Sequence, residues 1–237
     1  MVTSLNDSRR SKLYRAERRL EHELGRELHP LTTPVAAEDV QDLVNRAAAA
    51  MGLERAPRVR KHKRGTRIAT AWTAQALIKL PVNQAGEWDT WGRQPIVILH
   101  ELAHCAIHWR LPGHGREFVA AFKRVLTWFL EEEHGRPGDP ALARLDELLD
   151  ACGCRDHVTA KERSQIRFQL RHADHVWIVL ADGSTESFFQ TNPRHVFDED
   201  RDVVVLEGAG RQDADVPART IAVDEIRYAV SRRASAS

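Results

Sequence analysis

The most constraining feature of this chain is one largely apolar stretch, "VILHELAHCAIHWRLPGHGREF" at residues 97–118, which contains four histidines and two glutamates. Within it, His100, Glu101 and His104 form the pattern H-E-x-x-H. On a helix, positions i and i+4 lie on one face about one turn apart, so two imidazoles at this spacing can reach one metal ion. The stretch therefore predicts a helix, beginning near Gln94 or Pro95, that carries two metal ligands.

The glutamate between the two histidines has a different expected role. Glu101 is offset from His100 by about 100 degrees around the helix, which places its carboxylate beside a water on the metal instead of on the metal. A shuffled chain of this composition would contain the pattern about 0.05 times, so the motif needs support from its surroundings. The apolar flanks give that support, because unpaired His and Glu are costly to bury and a metal supplies their partner. We therefore predict a Zn²⁺ site with Glu101 as the catalytic general base.

A catalytic zinc takes three protein ligands, so a third ligand is needed beyond the helical pair. His108 repeats the i+4 spacing, but it lies about 12 Å from His100 along a straight helix and cannot share its ion. His114 follows a proline-glycine break, after which the chain can turn back towards the metal. Glu117 comes one helical turn later and could supply a carboxylate instead. The sequence favours His114 as the third metal ligand and leaves Glu117 as the alternative.

The pattern of the rest of the chain indicates an α+β protein with two domains. Residues 1–155 combine helical periodicity with two or three short strands, expected to be antiparallel, between residues 57 and 81. Residues 160–232 consist of strand-like runs, among them "QIRFQLR" and "DVVVLEGA", which predict a small all-β, barrel-like domain similar in texture to Sm and SH3 barrels. The linker is expected within residues 153–164.

Net charge, targeting signals and cysteine content indicate which partners and which cellular location to expect. The chain has 35 Lys and Arg against 34 Asp and Glu, a net charge of +1, so bulk charge indicates neither a nucleic-acid nor a membrane partner. The sequence has no apolar signal region at its N-terminus and no run of 18 apolar residues, and a cytoplasmic location is the expectation. The chain has three cysteines, Cys105, Cys152 and Cys154. The number is odd and two of them are separated by a single residue, so reduced thiols are expected rather than disulfides.

One local charge cluster stands apart from this balance. Residues 55–67, "RAPRVRKHKRGTR", contain seven Lys or Arg and no acid. Such a strip suits contact with a nucleic-acid backbone, but a solvated hairpin that turns at Arg64-Gly65 has the same composition. The sequence leaves both interpretations open.

The residues of the site carry a resemblance to known proteins. The "HELAH" helix followed by "GHGREF" resembles the SprT-like (Spartan-type) zinc metalloproteases, and a longer pattern over residues 8–130, including "LYRAERRL", "IKLP" and "WGRQPIVILHELAH", is similar to a group of bacterial and phage-borne metallohydrolases of that kind. The resemblance implies a zincin-like fold, a protein or peptide substrate, His100, His104 and His114 as zinc ligands, and Glu101 as general base. It also implies a substrate-binding strand edge at residues 67–72 or 76–80.

Two alternatives stay open beside it. "HELAHCAIH" is also similar to the ImmA/IrrE-type peptidases, which cleave repressors and complete their site with a downstream glutamate, so that resemblance implies Glu117 as third ligand. A non-catalytic protein stabilised by a metal, with the basic segment recruiting a nucleic acid or protein, is the alternative from a different functional class.

Overall fold

The computed structural model describes residues 9–25, 29–108, 111–180, 184–189, 195–206 and 219–231. The chain divides into two compact units, Met1–Asp156 and His157–Ser237, and the change of unit falls inside the segment expected to be a linker. Helices and small sheets occur together, as the α+β prediction requires. None of the described helices combines the length and apolar character that crossing a membrane requires.

The described part of the first unit contains five α-helices and one three-stranded sheet. The helices are α1 (Arg10–Leu24), α2 (Val40–Ala50), α3 (Pro95–Cys105), α4 (Arg116–Trp128), which continues as a π-helical segment (Phe129–Glu133), and α5 (Pro140–Ala151). The strands are β1 (Arg58–Lys61), β2 (Thr70–Trp72) and β3 (Leu77–Leu80).

Helix α3 lies at the centre of this unit. Nine consecutive residues, from Pro95 to Ala103, are buried, so the helix is enclosed on all sides instead of lying on a surface. Pro95 occupies its first turn, where a missing backbone N–H costs nothing. α3 packs against α2, α4 and the sheet, and α1 packs against α5. The polar side chains of α3 are therefore held inside the core by neighbours from most of the unit.

The sheet differs from the expected antiparallel arrangement. Its strand order is β1-β3-β2, with β1 parallel to β3 and β2 antiparallel to β3. The prediction of a hairpin turning at Arg64-Gly65 is wrong, because β1 and β2 on either side of that turn do not pair with each other. β3 lies between them, and its alternate residues Ile78 and Leu80 are fully enclosed on the core side of the sheet.

This strand order also corrects the expected substrate-binding edge. β3 has a partner on each side, so residues 76–80 do not form an edge of the sheet. β2, within the other candidate range 67–72, is an edge strand.

The second unit contains helix α6 (Ala160–His172) and six described strands. The strands are β4 (His175–Leu180), β5 (Thr185–Phe189), β6 (His195–Asp198), β7 (Val203–Leu206), β8 (Arg219–Ala222) and β9 (Ile226–Ser231). They form two antiparallel sheets, ordered β5-β4-β9 and β6-β7-β8. A barrel-like closure of these sheets stays a prediction.

The second unit is not all-β, because the run "QIRFQLR", predicted as a strand, lies within α6. Thr159 and Glu162 form a complete capping box that starts this helix. Ile166 and Leu170, four residues apart, are buried, whereas Phe168 between them is exposed. The alternation of Ile166, Phe168 and Leu170 imitated a strand, but the capping box and the i, i+4 burial are those of a helix.

Candidate metal centre

The helical pair of the motif lies where the sequence places it. His100 and Glu101 are buried in the middle of α3, and His104, one turn later, is half-buried. The Nε2 atoms of His100 and His104 are 3.2 Å apart. One turn of a core helix is therefore enough to bring two imidazole nitrogens to one point.

His114 joins this pair from outside the helix. α3 ends at Cys105, and α4 begins at Arg116 after a tight turn in which the Gly115 amide donates to the Pro112 carbonyl. The turn places His114 with its ring centroid 4.7 Å from that of His104 and 5.4 Å from that of His100. One nitrogen from each of the three histidines lies within 4.8 Å of the others.

The two other candidate ligands lie outside this group. His108 follows the end of α3, and Glu117 lies in the first turn of α4, and both are half-buried. Among the residues that the structure describes, the triad of His100, His104 and His114 is the one set of His, Cys, Asp or Glu close enough together to hold a metal ion. Neither His108 nor Glu117 belongs to it.

Helix α1 supplies a residue that the sequence reasoning missed. Glu17 Oε1 accepts a hydrogen bond of 2.5 Å from Nδ1 of His100, and both side chains are buried. Burial by itself would lower the pKa of His100, but the carboxylates of Glu17, Glu101 and Glu21, with Glu17 contributing most, together outweigh that effect and raise it. A ring that donates Nδ1–H to a carboxylate presents its Nε2 lone pair on the other side, which is the arrangement of a metal-binding histidine.

A sequence signal for Glu17 does exist. α1 buries Leu13, Ala16 and Leu20, and Glu17 follows Leu13 by four residues, on the same buried face. An acid on the apolar face of an amphipathic helix needs a buried partner. The signal was local to α1, however, and did not indicate which of the distant histidines that partner would be.

Aromatic rings surround the three imidazoles. Tyr14 of α1 stacks on His100 with ring centroids 5.3 Å apart and planes at 15°. Phe118 of α4 lies 4.4 to 5.1 Å from all three imidazole centroids. These contacts restrict rotation of the ligand rings and limit the water that can reach them, so the nitrogens are held ready in position.

The protonation of the site follows from its burial. Desolvation and the neighbouring His100 and His114 hold the pKa of His104 well below its usual value, so its ring is neutral, the form that binds metals. Burial raises the pKa of Glu101 to about 7, although the charge on His100 and an amide hydrogen bond from Ala71 of β2 oppose the rise. A carboxyl group with a pKa near neutrality can both accept and return a proton at physiological pH.

A cavity of about 310 Å³ opens beside Glu101 and His100. α1 forms one wall, the start of α3 forms another, and the segment before β2 closes the third side. Its lining includes Tyr14, Ile68, Ala69, Trp91, Ile96 and Val97. Trp91 is fixed there by the close approach of Gly92 to Pro81, where an added Cβ would meet the proline ring at 2.6 Å.

The other singled-out residues lie apart from the triad. Cys105 is half-buried, and burial raises the pKa of its thiol to about 12, so it is not a nucleophile at neutral pH. Cys152 and Cys154 are free thiols. The seven basic residues of 55–67 lie before, on and after β1, and all are exposed. Lys61 donates to the Gly86 carbonyl.

Comparisons of the chain with protein-family models, with curated proteins and with solved structures find no match.

Proposed function

We propose that the protein is a zinc-dependent hydrolase, most specifically a peptidase, in which His100, His104 and His114 hold the metal and Glu101 acts as general base. The observation that carries the proposal is the convergence of three imidazole nitrogens within 4.8 Å, directly beside a buried glutamate of the same helix. Residues from α1, α3 and the turn before α4 meet at this one point.

The donor set fits zinc. Tetrahedral zinc binds histidine nitrogens at about 2.0 to 2.1 Å, which separates two ligand nitrogens by about 3.3 Å. The His100 and His104 Nε2 atoms are 3.2 Å apart, close to that separation. Three imidazole ligands leave a fourth position for water, as catalytic zinc sites require, and Glu17 supplies the carboxylate behind one ligand that such sites commonly have.

A bound zinc ion would supply Lewis-acid chemistry, lowering the pKa of a water molecule and polarising a carbonyl. The chain itself supplies the proton transfers. Glu101 takes a proton from the attacking water and later delivers it to the leaving amine. The Ala71 amide lies beside this carboxylate and favours its charged form, the form that accepts the proton.

The sheet edge supports a polypeptide as the substrate. β2 is an edge strand, α3 packs against it, and its Ala71 amide contacts Glu101. An extended peptide that pairs with a sheet edge places its carbonyl groups at regular intervals along that edge. Pairing with β2 would therefore bring a scissile carbonyl close to Glu101 and the triad.

The placement of His114 favours the SprT-like interpretation over the ImmA/IrrE-type one. In the first, a histidine after the helix break completes the ligand set, and His114 lies in the triad. In the second, Glu117 would complete it, but this residue belongs to no metal-binding group among the described residues. We retain the zincin-like fold as part of the proposal.

The test combines metal analysis with one conservative substitution. We expect about one zinc ion per chain in the purified protein, and its loss in the double variant His100→Ala/His104→Ala. Glu101→Gln should keep the zinc and the fold but lower hydrolysis of a denatured protein by about 10²- to 10⁴-fold. Zinc that is retained in the double variant would refute the site. Zinc binding without hydrolysis by the wild type would favour a metal-stabilised binding protein.

A further inference from the structure

The exposed large apolar side chains of the first unit lie on segments that border the candidate metal centre or its cavity. Within the described part of this unit they are Ile68, Trp72 and Trp91, with exposed fractions of 54%, 46% and 38%. Ile68 and Trp91 line the cavity beside Glu101, and Trp72 lies in β2, four residues after Ile68. Grouped apolar side chains that stay in contact with water mark a binding surface more often than a structural one.

The size of the cavity limits what can enter it. At about 310 Å³ it lies at the lower end of the range of about 300 to 1,000 Å³ that is typical of ligand pockets. It suits a single bulky side chain. Since His100 and Glu101 are part of its lining, an occupant would lie immediately next to the reacting groups.

The polar groups along the cavity are already engaged with the protein. Glu17 binds His100, Glu21 lies beside the Trp91 side chain, and Glu101 lies beside the Ala71 amide. The arginines of the lining are exposed, and each contacts Tyr14: Arg10 lies over its ring, and Arg18 donates to its carbonyl. The surface that remains for an occupant is the apolar wall, made of Ile68, Ala69, Trp91, Ile96 and Val97.

We propose that this cavity is a specificity pocket for a bulky apolar side chain of an extended polypeptide, such as leucine, methionine or phenylalanine, adjacent to the cleaved bond. The role in cleavage rests on the proposed hydrolase function, whereas the class of side chain follows from the cavity walls. Side chains of this class are buried in folded proteins, so the substrate is an unfolded or locally opened polypeptide.

The proposed pocket can be tested by measuring the binding of small probes, which does not require the protein to be an active hydrolase. The full chain is titrated with N-acetyl-phenylalaninamide, N-acetyl-glycinamide and N-acetyl-lysinamide while the indole N–H resonance of Trp91 is followed by NMR and identified with Trp91→Phe. We expect a saturable shift with the phenylalanine probe and affinity about tenfold or more above that of the glycine probe, from burial of one apolar side chain. No shift of Trp91 with the phenylalanine probe, or tighter binding of the lysine probe, would overturn the proposal.

Two variants and a control connect the binding to the cavity. Ala69→Phe fills the cavity and should abolish the preference for the phenylalanine probe, whereas Ala74→Phe, at an exposed alanine five residues away, should retain it. Ile68→Ser removes an exposed part of the cavity wall without changing the core. It should lower the affinity for the phenylalanine probe, and this measurement does not depend on whether Ala69→Phe folds. The assignment would be overturned if Ile68→Ser bound the phenylalanine probe as tightly as the wild type does and a folded Ala69→Phe kept the preference for that probe.

Cleavage mapping separates this proposal from the proposed function. Product termini from a denatured protein, digested by the zinc-loaded chain, should show bulky apolar residues enriched at one position beside the cleaved bonds. Cleavage with no such enrichment overturns the specificity pocket while the hydrolase function stands. Binding of the phenylalanine probe at Trp91 without any cleavage overturns the hydrolase function while the ligand class of the cavity stands.

Discussion

Glu17 of α1 and His100 of α3 are 83 residues apart in the chain and are joined by a buried hydrogen bond of 2.5 Å between Oε1 and Nδ1. The bond fixes the rotation of the His100 ring and therefore the direction of its Nε2 atom. It also connects two helices that both line the cavity beside the site. The position of the helix pair and the shape of the candidate metal centre thus depend on each other.

Glu17→Gln should lower zinc affinity by about 10- to 100-fold, the usual effect of losing the carboxylate behind a histidine ligand. Glutamine keeps the size and one acceptor oxygen, so the change removes charge with little loss of packing. Affinity is measured by competition with a chromophoric chelator. Glu21→Gln is the matched control, since Glu21 lies one turn along the same helix and beside the same cavity. Equal losses in the two variants would show that Glu17 acts only through the general charge of α1.

The third ligand gives a second prediction. His114→Ala should lower zinc affinity by roughly 100-fold, because one of three protein ligands is lost from a site in which each contributes several kcal/mol. Glu117→Ala, three residues further on, should change zinc affinity far less, because Glu117 is not part of the triad. The same chelator competition measures both. The reverse order of effects would favour the ImmA/IrrE-type arrangement.

Metal removal gives a third prediction, on stability. A ligand that binds only the folded state stabilises it by about 2.7 kcal/mol at a free concentration 100 times its dissociation constant. Zinc should therefore raise the temperature of thermal unfolding, and a strong chelator should reverse the rise. The triple variant His100→Ala/His104→Ala/His114→Ala should unfold at a temperature that zinc does not change. A zinc-dependent rise that persists in this variant would place the metal elsewhere.

Sequence reasoning correctly predicted that His100, His104 and His114 lie together, because their arrangement depends on local geometry. His100 and His104 are one helical turn apart, so their meeting follows from helix geometry alone, and a proline-glycine break near His114 signals that the chain can return. Glu17 could not be paired with His100 in the same way. Its partner is set by the packing of α1 in the core, which is a tertiary relationship that no local spacing encodes.

The errors in the predicted fold also arise from tertiary contacts that the local sequence does not encode. β1 pairs in parallel with β3, and the chain between these two strands includes β2. A short turn such as Arg64-Gly65 suggests a hairpin when the sequence does not show that β1 pairs with a later strand. In α6, three apolar residues at alternate positions satisfy the strand pattern, whereas the capping box of Thr159 and Glu162 and the exposure of Phe168 are those of a helix. The strand pairing is decided by contact with a distant segment, and the exposure of Phe168 by which side chains the core buries.

The helical assignment of α6 gives a fourth prediction. Leu170→Ala should lower the free energy of unfolding by about 2 to 5 kcal/mol, because a large side chain is removed from a closed core. Phe168→Ala should change it by no more than about 0.5 kcal/mol, because this side chain faces solvent. Urea denaturation of the two variants measures the difference. If residues 165–171 formed a strand instead, with alternate residues on one face, the two substitutions would have similar costs.

The last prediction concerns the contribution of Asp139 to the stability of the first unit. Its buried carboxylate accepts a hydrogen bond of 2.9 Å from the Ala141 amide at the start of α5, and it lies 3.2 Å from His29 Nε2 and 2.7 Å from Arg136 Nε. Alanine at this position would remove the helix cap and leave the buried His29 ring without its carboxylate. We expect Asp139→Ala to lower the free energy of unfolding by about 2 to 4 kcal/mol, the sum of a cap and a buried polar group.

The matched control for Asp139 lies in the same helix. Asp146 of α5 forms an ion pair of 2.9 Å with Lys123, but both side chains are substantially exposed. An exposed pair of this kind contributes only about 0 to 1 kcal/mol, since water competes for both charges. Urea denaturation of Asp139→Ala and Asp146→Ala should therefore give clearly different losses. Similar losses would mean that the carboxylate of Asp139 contributes no more than a surface charge, and that the junction of His29 with α5 is held by packing alone.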